Sequence, residues 1–166
     1  MHALPRSAHE HHDQLLPHVH EIDDLGRAVG SAPRDEISAR LALVHTFLVH
    51  QLVPHMEAAE GTLYPELERL MQNRHSMTPM RREHGELRAL FAELGGLTST
   101  YATAQAGPSD DRRLRRVLFR MYALLMIHLS EEEAFVKVLD HNLAPEEQER
   151  LVRGMEHELL ETTEVG

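Results

Sequence analysis

The residues of this chain best equipped for chemistry are four histidines, His12, His55, His84 and His128, together with Glu132. Each histidine falls where the apolar stripe of a predicted helix calls for a leucine, and Glu132 follows His128 by one turn in the run HLSEE. A polar group left unpaired in a core costs roughly 1–3 kcal/mol by mutational measures. Such groups converging on inward faces need a common partner, and nitrogen and oxygen donors together suit a metal ion or a pair of ions. His128 and Glu132, at i and i+4, share one side of a helix, so a ring nitrogen and a carboxylate oxygen can reach the same ion. Glu131 and Glu133 flank the pair and are expected to be solvated or to support the donors from outside.

These residues are useful only if helices carry them to one place. A first helix is expected from Ser7, where Ser-Ala-His-Glu has the form of a capping box, to Gly30, with Leu15, Val19, Ile22, Gly26 and Val29 continuing the stripe of His12. Pro33 opens a second, with Ile37, Leu41, Val44, Leu48, Leu52, His55 and Ala59 in register; Pro54 predicts a kink and Gly61 an end or bend. Residues 65–73 read as a separate helical piece. Thr78-Pro79 starts a third helix bearing Met80, His84, Leu87, Phe91 and Leu94, weakened at Gly95-Gly96, and residues 98–108 read as a loop. Ser109 or Asp110 caps the fourth, whose stripe is Leu114, Val117, Met121, Leu125, His128, Glu132, Phe135 and Leu139. Pro145 begins a short fifth helix to about Leu160, before a tail expected to fray. With no period-2 pattern, the fold class is all-α: one domain over residues 1–166, an up-down four-helix bundle over about 7–141 and a short extra C-terminal helix over about 145–160.

At about 1.5 Å of rise per residue the depths of the rings can be compared. From the end where helix one starts, His12 lies about 8 Å deep, His55 about 9 Å if helix two stops at Gly61, and His84 about 9 Å from Thr78. From the other end, His128 is about 28 Å from Ser109 and His84 about 25 Å from Tyr101. All four rings therefore fall at one level. A second helix running unbroken to Asn73 would displace the third by about 18 Å, so the break at Gly61 is itself an expectation.

Composition narrows the chemistry. There is no cysteine, which excludes disulfides, thiolate metal sites and cysteine nucleophiles and leaves nitrogen and oxygen as the ligands for any metal. Net charge is −10 with histidines neutral, and Lys and Arg form no long block, so neither nucleic acid nor an anionic membrane is an expected partner. The opening MHALPRSAHEHHDQ lacks the apolar run of a signal peptide and no stretch is long enough to span a membrane, giving a cytoplasmic expectation. Fourteen histidines stand against three tyrosines, four phenylalanines and no tryptophan, so histidine is the preferred ring residue. The remaining histidines mostly fall off the stripes and are expected at the surface or bonded to partners, His11 among them; His18, beside the stripe of helix one, stays a further candidate donor. Met80 is expected to pack in the core. No HExxH motif is present, and no histidine has a glutamate three positions before it, which removes the zincin and ferritin-like carboxylate patterns.

The stretches EHHDQLLPHV, LVPHMEAAEGTLYP, MRREHGEL and MYALLMIHLSEEE together resemble the hemerythrin-like, or HHE cation-binding, family, over about Ser7 to Leu139. That family carries His on the first helix, HxxxE on the second, His on the third and HxxxE on the fourth. The resemblance implies ligand roles for His12, His55, His84, His128 and Glu132. It also implies a cofactor of two non-haem iron ions, bridged by carboxylate and by an oxo or hydroxo group, that binds or senses dioxygen, peroxide or nitric oxide. One position departs: four residues after His55, where the bridging carboxylate would stand, is Ala59, and the nearest acid is Glu60. A regular helix turns Glu60 about 140° away from His55, whereas a π-bulge would bring it back as a ligand. Glu57, Tyr64 or solvent are the alternatives. The oxygen carriers of the family also have a second histidine on helix three, where this chain has Met80. Open coordination at these two places would admit peroxide, so catalase-like or peroxidase-like activity is a second reading. A metal-free helical interaction domain is a third, and the oligomeric state is left open.

Overall fold

A computed structural model describes the backbone over residues 8–164 and the side chains over residues 10–157; the capping box expected at Ser7 lies outside the described residues. The elements are α1 (Ala8–Ala28), α2 (Arg34–Phe47), a π-helical turn (Leu48–Leu52), α3 (Val53–Ala58), a second π-helical turn (Ala59–Leu63), α4 (Tyr64–Leu70), α5 (Thr78–Ala102), α6 (Pro108–Asn142) and α7 (Pro145–Glu164). Among the described residues there is no strand. Helix α1 lies against α2 and α6, and α5 against the same two, which closes the ring of a four-helix bundle, with α7 added against α3 and the second π turn.

The second rod of the bundle corrects the expected break at Gly61. Helices α2, α3 and α4 join without leaving right-handed helical dihedrals, and Gly61 sits inside the second π turn rather than at an end. Each π turn comes just before a proline: Leu48–Leu52 before Pro54, Ala59–Leu63 before Pro65. A proline offers no N–H and its ring clashes with the carbonyl four residues back, so a regular turn cannot pass through it unchanged. Widening the turn by one residue absorbs that clash, with Val53 N–H donating to Leu48 O and Tyr64 N–H to Ala59 O. The predicted kink at Pro54 and the end at Gly61 are thus two wide turns in one rod. A seven-residue turn, 71–77, then returns the chain, and α5 meets the rod alongside Tyr64 and Glu68 rather than directly opposite His55.

Other boundaries move for identifiable reasons. The loop expected over residues 98–108 shrinks to 103–107, because Leu97 and Tyr101 keep the α5 stripe and are buried, and the Thr98, Ser99 and Thr100 hydroxyls turn back onto carbonyls four residues earlier. The cap of α6 is Gly107, not Ser109 or Asp110; Asp110 instead accepts the Gly107 N–H at 2.8 Å from the third helical position. Helix α7 keeps helical backbone as far as Glu164, beyond the expected Leu160 and into the tail expected to fray.

Apolar residues collect in two clusters. The larger unites Leu15, Val19, Ile22, Leu41, Leu52, Met56, Leu87, Leu125 and Leu129 with their neighbours through α1, α2, α5 and α6. The smaller unites Ala59, Leu63, Tyr64, Met80, Val136 and Leu139 beneath Met155 of α7. Between them lie His12, His55, His84, His128 and Glu132, the buried polar side chains of the described residues. No described helix is long and apolar enough to cross a membrane.

Gly30 ends α1 with φ at +88°, and Arg115 Nη2 donates to the neighbouring Val29 carbonyl at 2.6 Å. A Cβ at Gly30 would stand 2.9 Å from that Arg115 nitrogen. Gly30→Ala is therefore expected to lower the unfolding free energy by about 1–2 kcal/mol, the usual left-handed penalty of an L-residue, as read from the urea midpoint at constant m-value.

Candidate metal centre

Four helices each deliver a ring to the polar layer: His12 from α1, His55 from α3, His84 from α5 and His128 from α6, which also contributes Glu132. Within this layer the rings form two pairs. His12 and His55 meet edge to face with centroids 5.4 Å apart, and His84 and His128 lie 4.6 Å apart. Glu132 belongs to both pairs. One donor atom from each of His12, His55 and Glu132 lies within 4.8 Å of the other two, and the same holds for His84, His128 and Glu132. Glu132 Oε2 stands 3.1 Å from His128 Nε2 and 3.4 Å from His55 Nε2, and Oε1 stands 3.8 Å from His12 Nε2.

None of these contacts has the geometry of a hydrogen bond. Both Glu132 oxygens, and both His55 ring nitrogens, are buried without a hydrogen-bond partner. A fully buried carboxylate with no aligned donor is costly unless a cation faces it. Donor atoms gathered within 4.8 Å of one another, with no hydrogen bond to either Glu132 oxygen, are an arrangement that suits a metal ion. The donor set fits a metal on that observation.

The outer nitrogens of three rings are held by carboxylates. His84 Nδ1–H donates to Glu60 Oε1 at 2.6 Å, His128 Nδ1–H to Glu83 Oε2 at 2.7 Å, and His12 Nδ1–H to Glu133 Oε2 at 3.2 Å. An ionised carboxylate only accepts, so each Nδ1 carries the proton and each Nε2 is turned to the centre. Carboxylates behind metal-bound imidazoles fix tautomer and ring orientation in this way. Burial lowers the affinity of His12 and His128 for a proton, yet Glu132, with Glu133 and Glu83 respectively, leaves both pKa values raised. For His84, burial and the charge of His128 prevail and pull the pKa to about 4, so its Nε2 keeps a free lone pair. Burial works against ionised Glu132, but His55, His12 and His128 hold its carboxyl well below the usual range.

Of the six residues expected as ligands, five converge and Glu60 does not join either triad. It lies one step outside, bonded to His84 Nδ1 and 3.1 Å from Arg88 Nη1 at the surface. The widened turn was expected to swing Glu60 inward; instead it brings in Tyr64, whose Oη lies 3.2 Å from His84 Nε2 with the side chain fully buried. Glu57 is exposed. His18 is exposed and stacks on Phe47 at 4.6 Å, away from the centre. Met80 packs in the smaller apolar cluster, as expected.

Two residues escaped the sequence reading. Glu83 carries no stripe signal, since it reaches His128 only because α5 packs on α6. His11, expected at the surface or bonded to a partner, stacks on His55 at 4.8 Å with both ring nitrogens buried and without a hydrogen bond. Its spacing of four residues from Leu15 was the available signal, masked by His12 at a spacing of three.

A bundle with a buried layer of imidazoles around one shared carboxylate is compatible with metal binding. The family model for the hemerythrin HHE cation-binding domain matches residues 6–134, and the chain belongs to that family. No curated protein and no solved structure matches the chain.

Burial, followed by the charges of His55 and His12, pulls the His11 pKa from 6.5 to about 3. The unfolded chain takes up a proton there as pH falls through 6.5, and the folded chain only near 3, so acidification favours unfolding through this group. In metal-free protein, His11→Leu should therefore gain stability relative to wild type progressively as pH is lowered from 6.5 towards 3. Urea midpoints at several pH values measure this, and parallel pH dependences for the two proteins would refute it.

Proposed function

We propose that the chain binds two non-haem iron ions, one among His12, His55 and Glu132 and the other among His84, His128 and Glu132, with Glu132 as the shared ligand. Through them it binds or senses dioxygen, peroxide or nitric oxide. The observation that carries the reading is Glu132: fully buried, with both oxygens unpartnered, between two histidine pairs. Two imidazoles and one carboxylate are the donor set of non-haem Fe(II) sites, and they leave open positions on a six-coordinate ion. Iron so held supplies redox-active open coordination for a small oxidant.

The chain's own residues do the rest. Glu60, Glu83 and Glu133 keep three imidazoles in the tautomer that offers Nε2 inward. Leu52, Met56, Leu87 and Leu129 on one side, and Ala59, Leu63, Met80 and Val136 on the other, exclude bulk water from the polar layer. The family match and the absence of cysteine both favour this set over a thiolate site.

Metal analysis of freshly purified and iron-reconstituted protein tests the reading. About two iron ions per chain are expected, and the melting temperature should fall on chelation, since a ligand bound only to the folded state stabilises it. Glu132→Gln should reduce both occupancies together, whereas Glu83→Gln should weaken binding about 10–100-fold, the usual effect of losing an outer-shell carboxylate. Protein that holds no iron, manganese or zinc before or after reconstitution would sink the proposal.

A further inference from the structure

We propose that Tyr64 supplies a phenolate ligand to the ion of the His84–His128 group, taking the place of the carboxylate absent at Ala59. This rests on the metal-binding reading above. Ala59 follows His55 by four residues, so it lies on the face that looks into the centre, but its methyl offers no donor. Five residues further on, a regular helix would turn Tyr64 about 140° off that face. The second π turn changes this: Tyr64 N–H bonds the Ala59 carbonyl, so one wide turn separates the two residues and Tyr64 returns towards the face of Ala59. Pro65 follows directly, and its ring disfavours a regular turn at this place.

The spacing of the donor atoms is that of a coordination shell. Ligands held about 2.1 Å from an octahedral ion stand about 3.0 Å apart along each edge. Tyr64 Oη to His84 Nε2 is 3.2 Å, His84 Nε2 to His128 Nε2 is 3.0 Å, and His128 Nε2 to Glu132 Oε2 is 3.1 Å. Four donor atoms in sequence thus carry edge-length separations.

Hydrogen bonding alone cannot keep Tyr64 satisfied once metal is present. His84 Nδ1–H is already given to Glu60, so its Nε2 is the acceptor available to the Tyr64 hydroxyl. When that lone pair goes to an ion, the fully buried hydroxyl loses its acceptor, and an unpaired buried hydroxyl is unfavourable. Ligation resolves this: the O–H bond breaks, an oxygen–metal bond forms, and the proton leaves to water with no change in electron count. Metal binding by protonated ligands releases protons in general.

The test is the ferric form of iron-loaded protein, with iron content measured on the same sample. Wild type should show a visible phenolate-to-iron(III) charge-transfer band whose resonance Raman spectrum carries tyrosine ring modes, displaced when the protein is grown on ring-deuterated tyrosine. Tyr64→Phe should retain iron at saturating metal and lose the band. Titrating the metal-free proteins with zinc gives a colour-independent reading, one proton fewer released by the variant. Tyr101, bonded to Asp111, and Tyr122, beside His20, are the other tyrosines and do not contact the centre. Wild type that binds iron without the band, or Tyr64→Phe that keeps it, overturns the Tyr64 assignment while the His–Glu reading stands; protein that takes up no iron overturns both. If Tyr64→Phe fails to fold, the deuterium displacement in wild type decides.

Discussion

Everything in this molecule is arranged around one buried charge. Glu132 lies in the C-terminal third of the longest described helix, sealed from solvent, with three imidazole Nε2 atoms within 4 Å and no hydrogen bond to either oxygen. A lone carboxylate in such a place would take up a proton, because burial penalises the charged form. It stays ionised because His55, His12 and His128 stand close by and favour its charged form. Helices from separate parts of the sequence supply those rings together. The bundle and the centre are therefore a single energetic unit.

The division of the core into two apolar clusters follows from the same constraint. A polar layer across a bundle interrupts the packing of leucines, and its members are tolerated only where they satisfy one another. The layer is backed at its rim by Glu60, Glu83 and Glu133, which are partly exposed and can stay ionised without the penalty Glu132 faces. Groups alternate outward from the centre: shared carboxylate, imidazoles, rim carboxylates, and, behind Glu60, the exposed Arg88. The rim carboxylates hold three of the rings in one orientation.

Helix two shows how a local irregularity is put to use. Prolines at 54 and 65 are unfavourable in a helix interior, and the chain accommodates them with two wide turns rather than by stopping. The expectation that Gly61 would end the rod failed because glycine is only mildly unfavourable within a helix, while Leu63, Tyr64 and Leu67 bury their side chains against the second cluster. Burial outweighed propensity, as it also did at Leu97 and Tyr101 in α5. The π turn moved the chain by a fraction of a turn, enough to exchange which residue faces the centre.

The all-helical fold and the inward faces of His12, His55, His84 and His128 were legible in the residues alone, because a stripe of period 3.6 that carries histidine in place of leucine reports both a helix and its inward face. Glu132 was legible for the same reason, one turn past His128. Periodicity speaks only of faces within one element, however, so it could not pair helices or fix their relative heights. That Glu83 of α5 backs His128 of α6, that His11 covers His55, and that Glu60 stands outside while Tyr64 enters were decided by how the helices pack and how the rod passes its prolines. Those are relations between residues far apart in the chain, set by the simultaneous burial of several faces, and no single stretch of sequence contains them.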